Sequence, residues 1–192
     1  EEALTATSLA FPVQMLMIAF SVGTSVGVNA LLSKTLGARN RERATKIANT
    51  SIMLALIGGA VFSLTGIFFA QKLARSFTTV ESTAALCADY LSICMIFCFG
   101  NFIETMLQRF LQAAGNTVLS MCSLIAGAVT NIILDPILIF GLLGFPALGI
   151  RGAAIATVIG QWLGAAVALL LNRFCNREVI VDFRGFCPEK EI

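Results

Sequence analysis

Five long apolar stretches, each about the length that crosses a bilayer, dictate what this chain can fold into. Crossing about 30 Å of hydrocarbon takes roughly 20 apolar residues in a helix. Runs of that kind cover about 7–32, 47–70, 84–111, 118–143 and 152–171. No water reaches a backbone inside the bilayer, so each run must pair its own N–H and C=O groups, which makes it a helix. Barrel strands would be short and strictly alternating, and these runs are neither. Only 12% of the residues are charged, against about 25% in a soluble domain. That deficit excludes an ordinary soluble enzyme and a disordered tail. The net charge of +2 is too small for an electrostatic grip on nucleic acid. The expected fold class is all-α, a polytopic bundle whose partner is the lipid bilayer.

Five crossings put alternate connections on opposite sides. One side collects Lys34, Arg39, Arg41, Arg43, Lys46, Arg109, Arg173, Arg177, Arg184 and Lys190; the other collects Lys72, Arg75 and Arg151. The excess of basic residues marks the cytoplasmic side, so the expectation is a multi-pass protein of the cell membrane with a cytoplasmic C-terminal tail and Glu1 outside. The chain opens Glu1-Glu2, without a basic start or a cleavage pattern. A start on the outer side without a signal peptide implies a preceding helix, and the polar tail over 176–192 reads as a cytoplasmic linker to something further. The loop GARNRERA holds no aromatic residues and reads as a topology signal before it reads as a lipid-binding or nucleic-acid-binding patch. Six cysteines form no CxxC pair and there is no histidine, so they read as small hydrophobes, with no zinc or copper site and no cofactor.

The polar residues inside the runs carry the chemistry. Asp135 lies in NIILDPILIF, where an acid at a helix centre costs about 2.5–3.5 kcal/mol to insert. It needs a wet cavity or a partner. Asn131 sits one turn earlier on the same helix face. Pro136 follows and cannot donate to the carbonyl of Ile132, which frees an oxygen and favours a kink. Carboxylate, amide oxygen and freed carbonyl are hard ligands, suited to a proton or a small hard cation. Counting from the outer ends of their runs, Thr157 and Tyr90 fall at about the depth of Asp135, so three helices bring polar groups to one level. Glu104 is the second acid, toward the cytoplasmic end of its run. Its i+4 neighbour is Gln108, and Arg109 is close enough in sequence to compete for it. Glu104, Gln108 and Gln161 are candidates for a gate or a substrate contact. Asp89 is placed at the outer interface, solvated. Gly23–Gly27 and Gly160–Gly164 form GxxxG pairs, and Gly58, Gly59 and Gly66 cluster in the second run, so close helix approach is expected there. Trp162 and the many Phe residues read as packing or lipid-facing groups.

The stretches GTSVGVNALLSKTLGARNRERA, YLSI, LQRFLQAAGNT, NIILDPILIFG and GIRGAAIATVIGQ, in this order and spacing, resemble the multidrug and toxic compound extrusion (MATE) transporter family. That resemblance implies five of the six helices of an N-terminal lobe over residues 1–175, with the first helix and the second lobe missing from this sequence. It also implies a cation-coupled (Na⁺ or H⁺) antiporter exporting organic, often cationic, drugs and toxic compounds by alternating access. Asn131 and Asp135 match the family's NxxxD pair, Thr157 its GAAxAT threonine and Tyr90 a tyrosine of the helix before, a set implied to bind the coupling ion. Na⁺ would then sit at Asp135, Asn131 and Thr157. A lipid-linked oligosaccharide or peptidoglycan-precursor flippase shares the architecture, but would line its cleft with several Arg residues. A channel subunit would show a repeated polar stripe, and a membrane enzyme a nucleophile or metal set. None of these patterns is present in the runs.

Overall fold

The computed structural model describes residues 2–176 together with Glu178 and Val179. The described residues form six α-helices and no strand: α1 (Glu2–Gly37), α2 (Arg41–Phe77), α3 (Glu81–Ile96), α4 (Phe99–Ala113), α5 (Thr117–Phe140) and α6 (Ile150–Cys175). α1, α2, α5 and α6 are each long and apolar enough to cross a membrane, and α3 with α4 form a fifth crossing bent by 46°. The helices outrun the apolar stretches by up to two turns. Arg41, Lys72 and Arg75, for example, lie inside α2 rather than in loops, because charged side chains extend from a helix end into water without breaking it.

The third run is therefore not the single helix expected over 84–111. It breaks at Phe97–Cys98, where no proline stands. A break inside a bilayer frees backbone groups that must be satisfied within the protein, and α2 supplies the partners. The Ser63 hydroxyl donates to the Ile96 carbonyl at 3.0 Å, and the Cys98 thiol lies 3.4 Å from the Gly59 carbonyl. α2 comes close enough because Gly59 and Gly66 carry no side chain. A Cβ on Gly59 would meet the Phe99 ring at 2.7 Å, and one on Gly66 would meet Met95 Cβ at 2.6 Å. α5, in contrast, runs through Pro136 as one continuous helix, without the break that the proline could have imposed. It stops at Gly141 in the left-handed conformation (φ 72°), as helix C-termini commonly do.

One core cluster joins α1, α2 and α4 through Met17, Leu32, Ile47, Phe102, Leu107 and Phe110. A second joins α1, α2, α3 and α6 through Ala10, Ala74, Cys87, Leu91 and Ala154. Large apolar side chains cover the outside, including Leu16, Phe68, Ile132 and Phe174; a bilayer accepts such a surface and water does not. The charged ends separate as the loop charges predict. At one end Arg41 pairs with Glu178 at 3.2 Å, tying the first connection to the chain beyond α6. At the other, Arg75 pairs with Glu81 at 3.6 Å and Arg151 with Asp89 at 2.8 Å. Asp89 keeps 39% of its side chain exposed, as expected at the outer interface, and also bridges α3 to the start of α6. Arg177, Arg184, Lys190, Cys187 and almost all of the expected linker over 176–192 lie outside the described residues.

Candidate functional site

The i,i+4 spacing on α5 puts Asn131 and Asp135 on one face, and α6 brings Thr157 to the same place. The Asn131 amide nitrogen donates to Asp135 Oδ1 at 3.5 Å and to Thr157 Oγ1 at 3.4 Å. Both bonds sit at the long end of the hydrogen-bond range, so they tether the group weakly. Thr157 spends its own proton on the Ala153 carbonyl at 2.9 Å and offers lone pairs only. Asp135 is half-buried.

Tyr90 joins this group from α3. It is buried, accepts from Gln14 of α1 at 3.2 Å, and has Thr157 and Cys94 as side-chain neighbours. The three residues expected at one depth, Asp135, Thr157 and Tyr90, are therefore linked through Asn131, and Gln14 is an addition. A lone glutamine eight residues into an apolar run was a signal of the same kind as Asn131. Gln14, Tyr90, Thr157, Asn131 and Asp135 form one polar chain across α1, α3, α6 and α5.

A cleft of about 240 Å³ continues inward from Asn131 and Thr157, and Asn101, Glu104, Gly127, Gly160 and Gln161 also border it. Glu104 accepts from Gln108 Nε2 at 3.0 Å. Arg109 does not compete for it: its guanidinium donates to Ser25 at 3.3 Å and to Gln112 at 2.6 Å. One residue farther along a helix is about 100° of rotation, and that turns Arg109 to a different face. Asn101 was not singled out beforehand, being one more amide among apolar residues. Of the candidate gate or contact residues, Glu104 and Gln161 border the cleft directly, and Gln108 reaches it through Glu104.

The close approach of α5 and α6 makes this arrangement possible. A Cβ on Gly160 would lie 2.9 Å from the Gly127 carbonyl, and one on Gly127 would lie 2.9 Å from the Gly160 carbonyl. A Cβ on Gly164 would run into the Glu104 carboxylate. The GxxxG pair of α6 is thus a seat for a backbone and an acid. The pair in α1 is not a packing seat, since no neighbour among the described residues comes within 4 Å of a Cβ on Gly23 or Gly27. Trp162 leaves 46% of its surface exposed while its ring covers Gly100.

Among the described residues no three His, Cys, Asp or Glu side chains converge on a metal position. Ligation of Na⁺ by Asp135, Asn131 and Thr157 together needs the Asn131 amide turned over, since it now points its donor at both oxygens. Protonation of Asp135 needs no such turn.

A model of the MatE family matches residues 1–137. Similar proteins include "Probable multidrug resistance protein YoeA" of Bacillus subtilis, 35% identical over 82% of this chain and 34% of its own length. Another is the "FAD transporter" of Shewanella oneidensis, 33% identical over 90% of this chain and 37% of its own. Among solved structures, an inward-facing multidrug resistance MATE family transporter of the MOP superfamily superposes with a TM-score of 0.90 at 29% identity, over 99% of this chain and 42% of that one. This chain spans well under half the length of these relatives. Among the described residues no arginine borders the cleft, and these relatives are named for multidrug and FAD transport, so the flippase alternative finds no support. Five crossings, a split charge distribution, an Asn131–Asp135–Thr157 group on facing helices and a family match over most of its length together establish that the chain belongs to the MatE family of transporters.

Proposed function

We propose that this chain is one partial lobe, over residues 1–175, of a cation-coupled antiporter in the cell membrane that exports organic, often cationic, compounds. The reading places the Arg41–Glu178 end and the linker that follows on the cytoplasmic side. One observation carries it: an aspartate within a membrane-crossing helix shares an amide with a threonine of the facing helix. An acid at that depth is costly without a function to retain it. Asp135 takes a proton or Na⁺ as the coupling ion, with Asn131, Thr157 and Tyr90 as its neighbours, and no cofactor is needed. Neutralising Asp135 removes the reason for Asn131 to hold it, which frees α5 to shift against α6. Ion and substrate then favour different states of one lobe, and exchange follows by alternating access. Glu104, Gln108 and Gln161 form the inner wall of the cleft, where they gate it or touch substrate.

The test uses the complete gene in a host stripped of its own efflux pumps. Vesicles loaded with a fluorescent organic cation receive an imposed Na⁺ gradient or an imposed pH gradient. One gradient drives efflux in the wild type, and Asp135→Asn lowers that efflux by at least about tenfold, equivalent to roughly 1.4 kcal/mol or more of lost coupling. Undiminished efflux by Asp135→Asn overturns the assignment, and efflux driven by neither gradient overturns ion coupling altogether.

A further inference from the structure

Among the described residues, Asp135 is not the only acid within a membrane-crossing segment that lacks a counter-charge. Glu104 is 8% exposed, and among the described residues its hydrogen bond comes from the neutral amide of Gln108. The surrounding helices bring no cation to it. α1 has no charged residue between Glu2 and Lys34, α2 none between Lys46 and Lys72, and α6 none between Arg151 and Arg173. The one charged residue of α5 is Asp135, α3 contributes Glu81 and Asp89 near its outer end, and Arg109 of α4 itself is engaged by Ser25 and Gln112. A carboxylate so placed in hydrocarbon does not persist as a bare anion.

Its surroundings are built to take something. The carboxylate sits in a window between α5 and α6 that exists because Gly127 and Gly164 have no side chains. Two further polar atoms of the same cleft, Asn101 Nδ2 and Gln161 Oε1, are buried without a hydrogen-bond partner. A cation drawn to Glu104 would find the Gln161 oxygen as a further hard ligand. Gly127, which faces Glu104, precedes Asp135 by eight residues, so the two acids lie about 12 Å apart along the helix axis. At that distance one need not empty when the other fills. Asn131 and Thr157 stand between them.

We propose that Glu104 is a second cation-binding group, separate from Asp135, which takes up one monovalent cation (a proton or Na⁺) in the glycine window between α5 and α6. The inference rests on the transport reading of the cleft and gives the inner wall a chemical role. It implies that this lobe handles two cations, one at each acid.

The experiment counts cations bound by the purified full-length transporter. Equilibrium binding of radioactive Na⁺ is measured, and proton uptake is followed with an indicator dye in sodium-free solution from mildly alkaline to mildly acidic pH. Glu104→Gln, which keeps the shape of the side chain, lowers the count by one cation per chain and leaves the step at Asp135 in place. Asp135→Asn removes the other step, and the double variant removes both. The assay in which the step disappears tells whether the cation is Na⁺ or a proton. Glu104→Asp keeps the count but shifts the midpoint of one step, and it serves as the deciding variant if Glu104→Gln does not fold. A count unchanged by Glu104→Gln, or a midpoint unmoved by Glu104→Asp, overturns the inference. A count unchanged by Asp135→Asn alone would instead sink the coupling site proposed above and leave Glu104 standing.

Discussion

Gly23–Gly27 in α1 and Gly160–Gly164 in α6 have the same spacing and opposite surroundings. On α6 the first glycine lets the α5 backbone approach until Gly160 and Gly127 face each other, and the second leaves room for the Glu104 carboxylate. On α1 both positions look into open space among the described residues. A small residue permits an approach, but what approaches depends on the opposite helix. α5 offers a glycine of its own at the matching level, and Phe99, Phe102 and Met95 fill the space that Gly58, Gly59 and Gly66 leave on α2. No described helix offers anything to α1 at Gly23.

Substitutions can break that comparison. The largest effect is expected from Gly160→Val, because the nearest atom is a backbone carbonyl that cannot swing aside. It should cost about 3 kcal/mol and leave little folded full-length protein after detergent extraction, as read by size-exclusion profile. Near-normal yield and thermal stability would mean that α5 and α6 part more easily than their packing implies. Gly164→Ala comes next, at about 1–2 kcal/mol, since the obstacle is the far end of a flexible side chain. Its sharper readout is the cation count, in which it should weaken the step assigned to Glu104 and spare the one at Asp135. Smallest is the pair Gly23→Ala with Gly27→Ala. With nothing to collide with, alanine's better helix propensity should change stability by less than about 1 kcal/mol per position, toward greater stability. A loss in the full-length protein as large as that of Gly160→Val would show that another segment covers this face of α1.

Much of the site was legible because it is local. Asn131 and Asp135 are one helical turn apart, so their shared face follows from helix geometry, and Thr157 and Tyr90 follow from counting residues inward from the ends of their runs. What was not legible depends on how each helix is rotated about its axis. Arg109 is one residue beyond Gln108 yet reaches Ser25 of α1, while Gln108 reaches Glu104. Gln14 becomes the partner of Tyr90 only because α1 packs that face on α3. The break at Phe97–Cys98 has no proline or polar signal of its own; the groups that stabilise it are Ser63 and Gly59, on another helix. Pro136 carries the conventional signal for a break, and α5 continues through it.

The order of residues alone determined that this chain crosses a membrane about five times, which connections share a side, and that an acid with an amide one turn away needs company within the bilayer. Hydrophobicity and charge act on each segment separately, so they can be read from a string. Only the tertiary structure decided which glycines are seats, which basic side chain pairs with which surface carboxylate, and that Glu104 opens on the cleft that Asn131 and Thr157 border. Those outcomes depend on facing surfaces, and a helix has no facing surface until its neighbours have packed against it.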